Sequence, residues 1–184
     1  MDKRTYYTGV GSRETPLTVQ KRMTQLATTL YNKGFILRSG GADGADRAFE
    51  EGVPDFIGKE IYIPWKNFEK RVENEQIDHD ICCGASREAA LIAERINPTW
   101  KYLGIGGRKL HTRNVFQVLG RDLETPSKFL ICWTSGGREV GGTRTAIVLA
   151  KEYRIPIYNL GDRECRDLTV EELLWKTLPD PKKE

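Results

Sequence analysis

Five short apolar runs alternate along this chain with segments of helical periodicity, and that alternation restricts the fold more than anything else in the sequence. The runs are RTYYTGV, FILRS, EIYIPW, KFLICWT and IPIYNL, beginning at residues 4, 35, 60, 128 and 155. Between the first two, Val19, Met23, Leu26 and Leu30 recur at three- and four-residue intervals. Between the last two, Ala146, Ile147, Ala150 and Tyr153 share one helical face. Strands joined in this way through helices build a mostly parallel, doubly wound α/β sheet with helices on both faces. KFLICWT, apolar almost without a break, is the kind of strand that is covered on both sides.

Thr15 and Pro16 read as the cap and first residue of the first helix, with Gly34 and Gly52 as stops. Residues 66–126 form an insertion between the third and fourth strands. It contains two helix-type patterns, SREAALIAERI from residue 86 and RKLHTRNVFQVLGRDL from residue 108. The expected architecture is therefore one domain, residues 1–178, built on a five-stranded sheet with a helical insertion and followed by a polar tail, 179–184.

Composition narrows the function classes. A formal net charge of +3 over 184 residues is too small to announce a nucleic-acid-binding protein. No apolar run approaches the ~18 residues of a membrane span, and MDKRTYYTGV lacks a signal-peptide core. A cytoplasmic protein without a membrane partner is expected. Cys82, Cys83, Cys132 and Cys165 show no C-x-x-C spacing and read as reduced thiols. Asp78, His79, Asp80, Cys82 and Cys83 could hold a metal, but no second ligand cluster accompanies them, so neither a metal nor a cofactor is assigned.

Three loops at the carboxyl ends of strands mix glycine, hydroxyl and arginine. The first holds Gly11, Ser12 and Arg13. The second holds Arg38, Ser39, Gly40, Gly41 and Asp43, with Asp46 just beyond. The third runs Thr134, Ser135, Gly136, Gly137, Arg138 and then Gly141, Gly142 and Thr143. Each precedes a helix. Glycine lets backbone amides approach an anion, the helix N-terminus supplies unpaired N–H groups, and arginine adds a bidentate clamp. In a doubly wound sheet this is the ligand-binding rim, and phosphate is the anion expected there. Asp43 and Asp46 are candidates either to cap the second helix or to bind a ribose hydroxyl. No Walker lysine follows these glycines, so metal-dependent hydrolysis of a nucleoside triphosphate is not indicated.

The motifs GVGSRETP, LRSGGADGADRAFEEG and GGTRTAIVLAKEYRIPIYNL resemble the SLOG superfamily of Rossmann-like proteins, over residues 5–64 and 108–160. That group comprises the DprA (Smf) proteins, the LOG phosphoribohydrolases and many small bacterial and phage-encoded nucleotide-binding members. The resemblance implies a phosphate loop at Gly11, Ser12 and Arg13. It implies an SGGAxGxD motif at Ser39, Gly40, Gly41 and Asp46, and a helix-opening GGT at Gly141, Gly142 and Thr143. Arg113 and Asn114 match an arginine–asparagine pair that faces the ligand. LOG hydrolases carry a glutamate three residues after the threonine, and Ala146 stands there.

The reading that follows is a protein that binds a nucleotide or a nucleotide-derived signal as sensor or sequestering module. Its alternatives are an N-glycosidic hydrolase or transferase and a DprA-like binder of single-stranded DNA. For catalysis, Glu14, Asp43, Asp46, Glu88 and Glu139 are candidates, Glu14 and Glu139 foremost. For DNA, Arg13, Arg38, Arg47, Arg113, Arg138 and Arg144 would form a basic rim. Trp65 and Trp133 could stack on a base or simply pack, and His111 could serve as acid, base or surface residue. Arg13 and Arg113 are both expected at the rim, and a homo-oligomer is compatible with the sequence.

Overall fold

The computed structural model describes residues 4–70, 80–139 and 141–177. The chain alternates β1 (Thr5–Gly11), α1 (Leu17–Asn32), β2 (Phe35–Ser39), α2 (Ala45–Glu51), β3 (Lys59–Ile63), β4 (Asp80–Cys82), α3 (Arg87–Ile96), α4 (Ile105–Leu119), β5 (Leu130–Trp133), α5 (Thr143–Glu152), β6 (Ile157–Asn159) and α6 (Val170–Thr177). All strand pairs are parallel, in the order β4-β3-β2-β1-β5-β6. The five expected strands are all present. The three-residue β4, inside the insertion, extends the β3 edge and makes six among the described residues; its pattern is too short to stand out in sequence.

Strand alternation divides the apolar side chains between two layers. Tyr7, Leu37, Ile61 and Ile131 pack with Met23 and Leu30 of α1, Phe49 of α2 and Leu173 of α6. Val10, Tyr62, Leu130 and Cys132 pack with α3, α4 and α5 through residues such as Ala93, Val115, Leu119 and Ile147. Among the described residues no helix is long and apolar enough to cross a membrane.

Helix boundaries move slightly from expectation. Pro16 is the last extended residue before α1, with ψ 144°, and the Thr15 hydroxyl turns back to donate to the Ser12 carbonyl at 2.7 Å. α3 opens on Ser86, whose hydroxyl accepts the Ala89 amide at 3.3 Å. α6 opens on a reciprocal cap, Thr169 with Glu172. α4 stops at Gly120 rather than running on to Leu123.

Arg38 shows what a buried charge does here. Only 2% exposed, it donates from Nε to Glu60 Oε2 at 2.8 Å and from Nη1 to the Thr125 carbonyl at 2.5 Å. It therefore ties β2 to β3 and to the loop before β5, and it takes no part in a ligand rim.

Candidate functional site

The strand order reverses between β1 and β5, because the chain steps outward from β1 to β4 and then returns to the other side of β1. At the carboxyl ends of those two strands lies a cavity of about 490 Å³. Its walls come from the β1 loop (Gly11, Ser12, Arg13, Glu14), from the inner face of α4 and from the opening of α5. This is where a doubly wound sheet leaves a crevice.

The second loop behaves differently from its expected role. Ser39 is fully buried and donates from Oγ to the Gly9 carbonyl at 2.7 Å. At the N-terminus of α2, the Ala45 amide donates to the Ser12 carbonyl at 3.3 Å and the Arg47 amide to the Ala42 carbonyl at 3.0 Å. Gly44 has φ +81°, and a Cβ there would lie 2.6 Å from the Arg13 carbonyl oxygen. The β1 loop is thus seated on the end of α2. Ser39, Gly40 and Gly41 do not line the cavity, and the amides expected to cradle a phosphate are partly spent on the protein itself. Asp43 is half exposed and pairs with Arg47 one turn later.

What the second loop does provide is a slot. A Cβ on Gly40 would fall 1.3 Å from Arg113 Nη1 and 2.5 Å from Gln117 Nε2. Arg113 passes through that space from α4. Its Nη1 donates to Asp46 Oδ2 at 3.3 Å and to the Tyr62 carbonyl at 3.4 Å, and its guanidinium lies over the Phe68 ring, 5.6 Å from the centroid. Arg113 is 5% exposed and Asp46 4%, so Arg113 belongs to the cavity floor and not to the rim. Burial raises the Asp46 pKa above the usual carboxylate range, outweighing the pull of Arg113 and of the neighbouring Ala42 and Gly11 amides. Burial likewise lowers that of Arg113. Desolvation outweighs attraction for both partners.

The third loop brings its helix end to the cavity, with one first-turn amide, that of Arg144, donating to the Gly141 carbonyl at 3.3 Å. α5 starts at Thr143 after Gly142, without a side-chain cap, and Gly141, Gly142 and Thr143 all line the cavity. Asn114 donates from Nδ2 to the Gly142 carbonyl at 2.8 Å, holding the loop against α4. Asn159 fixes the other end of the loop, donating to Thr134 Oγ1 at 2.7 Å and accepting the Thr134 amide at 3.1 Å.

Of the carboxylates considered for catalysis, Glu14 and Asp46 line the cavity. Glu139 is turned to an ion pair with Lys151, and Glu88 sits in the first turn of α3. Trp133 lines the cavity, whereas Trp65 packs edge-on against Phe68 with centroids 5.2 Å apart. His111 bonds through Nδ1 to Thr145 Oγ1 at 2.6 Å, joining α4 to α5, and its pKa is lowered by burial and by Arg113 and Arg144. Of the metal candidates, Asp78 and His79 lie outside the described residues; Cys82 is exposed and Cys83 buried.

Gln117 was missed by sequence reasoning. It completes a spacing of Leu110, Arg113, Asn114 and Gln117 along the cavity-facing side of α4. Arginine, asparagine and glutamine at helical spacing on one face were the available signal.

No family model and no curated protein matches the chain. Among solved structures, DNA processing protein A from Helicobacter pylori, described by its single-stranded DNA binding mode, superposes with a TM-score of 0.51 at 17% identity. The match covers 86% of this chain and 66% of that one, so the chain spans just under two thirds of its length. The Moco carrier protein of Chlamydomonas rheinhardtii gives 0.49 at 15% identity, covering 88% and 79%. The first likeness establishes a Rossmann-like fold shared with a DprA protein.

Proposed function

We propose that the cavity between β1 and β5 binds a nucleotide or nucleotide-derived molecule, as a SLOG-type sensor or sequestering module. The observation that carries this is the N-terminus of α5, which has no side-chain cap, facing a 490 Å³ cavity beside the Gly11–Arg13 loop. A helix end without a cap offers amide donors and a positive dipole end to a phosphate. Arg13 is more than half exposed and paired with Glu69, so its guanidinium can be exchanged onto an incoming anion. Leu110, Ala146 and Trp133 supply apolar wall for a flat base. The volume suits one mononucleotide, within the usual range of small-molecule sites.

Thermal melting with mono-, di-, cyclic and dinucleotides tests the reading. Saturation at about 100 times Kd raises stability by about 2.7 kcal/mol. A panel without any shift removes it.

A glycosidic-cleavage reading rests on Glu14 at the cavity wall. Ala146 lies at the position of the LOG glutamate and Glu139 is engaged with Lys151, which favours binding over turnover. DNA binding of the DprA kind draws less support. Arg38 and Arg113 are buried and Arg144 donates to the Ile96 carbonyl, which leaves Arg13, Arg47 and Arg138 as the exposed members of that set.

A further inference from the structure

Left-handed backbone is concentrated beside the exposed arginine of the cavity. Asn67, Glu69 and Lys70 have φ of 58°, 53° and 57°, three of the five non-glycine residues with positive φ among those described. Asparagine takes this region readily, whereas glutamate and lysine occupy it at a cost that neighbouring contacts must offset. Two contacts do so here. Phe68, 2% exposed, packs its ring against both Arg13 and Arg113, whose guanidinium carbons lie 5.9 and 5.6 Å from its centroid. The Glu69 carboxylate forms an ion pair with Arg13 Nη2.

Arg13 belongs to the turn and to the cavity at once. It lines the cavity, and its charge lies close enough to the floor to add to burial in lowering the Arg113 pKa. Glu69 is not part of the cavity wall, so it reaches the site only by holding this cation. The charged residues of the wall are Arg13, Glu14, Asp46 and Arg113. Arg113 is already offset by Asp46 at 3.3 Å, which leaves Arg13 as the cation for an incoming anion. A phosphate and Glu69 therefore compete for one guanidinium.

We propose that Glu69 is a built-in competitor for the anionic ligand and that the turn at residues 67–70 is a switch released by binding. Capture of Arg13 by the ligand frees Glu69, and the left-handed turn relaxes once that contact is lost. This rests on the nucleotide-binding reading and adds a regulatory residue to it. The coupling is reciprocal, so removing the carboxylate tightens the ligand.

Titration calorimetry of the full chain with AMP, GMP, cyclic AMP and inorganic phosphate tests the competition on wild type, Glu69→Gln, Arg13→Ala and the double variant. Glu69→Gln should bind the best of these probes about 3- to 5-fold tighter, the size of an exposed ion pair. In the Arg13→Ala background the same substitution should change affinity by less than about 2-fold, because no cation is left to compete for. An equal gain in both backgrounds would mean that Glu69 only adds to the general field. That result, or no gain at all, overturns the proposal and leaves the binding reading standing.

Hydrogen exchange reads the turn itself. The Lys70 amide donates to the Asn67 carbonyl at 3.2 Å. Adding the same probe should speed exchange across residues 66–70 while slowing it at the start of α5. Slower or unchanged exchange in the turn sinks the switch. If no probe binds wild type or Glu69→Gln, the nucleotide-binding reading falls and this one with it.

Discussion

The loops after β2 and β5 look alike in sequence and do opposite work. SGGADGAD and SGGREVGGT both place glycines, a hydroxyl and charged residues before a helix. After β2, the helix end is closed by the Ser12 carbonyl, and Gly40 gives its missing side-chain volume to Arg113. After β5, the first-turn bond from the Arg144 amide to the Gly141 carbonyl stays within the loop itself, and the helix end lies on a cavity. Glycine richness reports that something approaches the backbone closely. It does not report whether that something is a ligand or another part of the chain.

The sharpest way to break the comparison is to disturb the packed loop. Arg113→Ala strands the buried Asp46 carboxylate and should cost about 3–5 kcal/mol in chemical denaturation. Loss of no more than a few tenths would show that the pair is not a floor element. Gly44→Ala meets both a positive φ and the Arg13 backbone, and should cost about 2–4 kcal/mol.

The open loop should respond in the opposite sense. Gly142 has helical angles, φ −62° and ψ −33°, and a Cβ there meets nothing within 4 Å. Gly142→Ala should therefore change stability by less than about 0.5 kcal/mol while weakening nucleotide binding, since the methyl group stands at the α5 opening. Equal damage to stability from Gly44→Ala and Gly142→Ala would erase the distinction. Arg13→Ala should likewise leave folding within about 0.5 kcal/mol and lower nucleotide affinity by about 10-fold, through loss of a charge-assisted contact.

The smallest effect concerns the clamp that holds α4 against α5. Burial, with the charges of Arg113 and Arg144, holds the His111 pKa below its ordinary value of 6.5. Its contribution is complete above that value and is lost as pH falls from 6.5 toward the lower folded pKa. Wild type should lose melting temperature over that interval relative to His111→Asn, measured as a difference so that other groups cancel. Parallel curves would mean that His111 is not titrating against the fold.

Much of the architecture was legible because it rests on periodicity. KFLICWT, FILRS and the α1 and α5 patterns each carry enough residues to declare strand or helix, and their alternation implies parallel pairing. β4 was not legible, since three residues carry too little pattern. Among the candidate residues, Gly11, Ser12, Arg13, Asp46, Arg113, Asn114 and the GGT at residues 141–143 are brought together around one cavity. Ser39, Gly40, Gly41 and Asp43 fall outside it, and Gln117 enters it unforeseen.

Residue type and order determined by themselves that the chain makes a doubly wound sheet and that its glycine loops gather at one rim, because those depend on local pattern and chain connectivity. Which loop closes on a helix and which leaves one open was decided only in three dimensions. It depends on Ser12 meeting Ala45 and on Arg113 reaching Asp46 from 67 residues away. Contacts at such separation have no signature in either partner's neighbourhood, and the same glycines serve both outcomes.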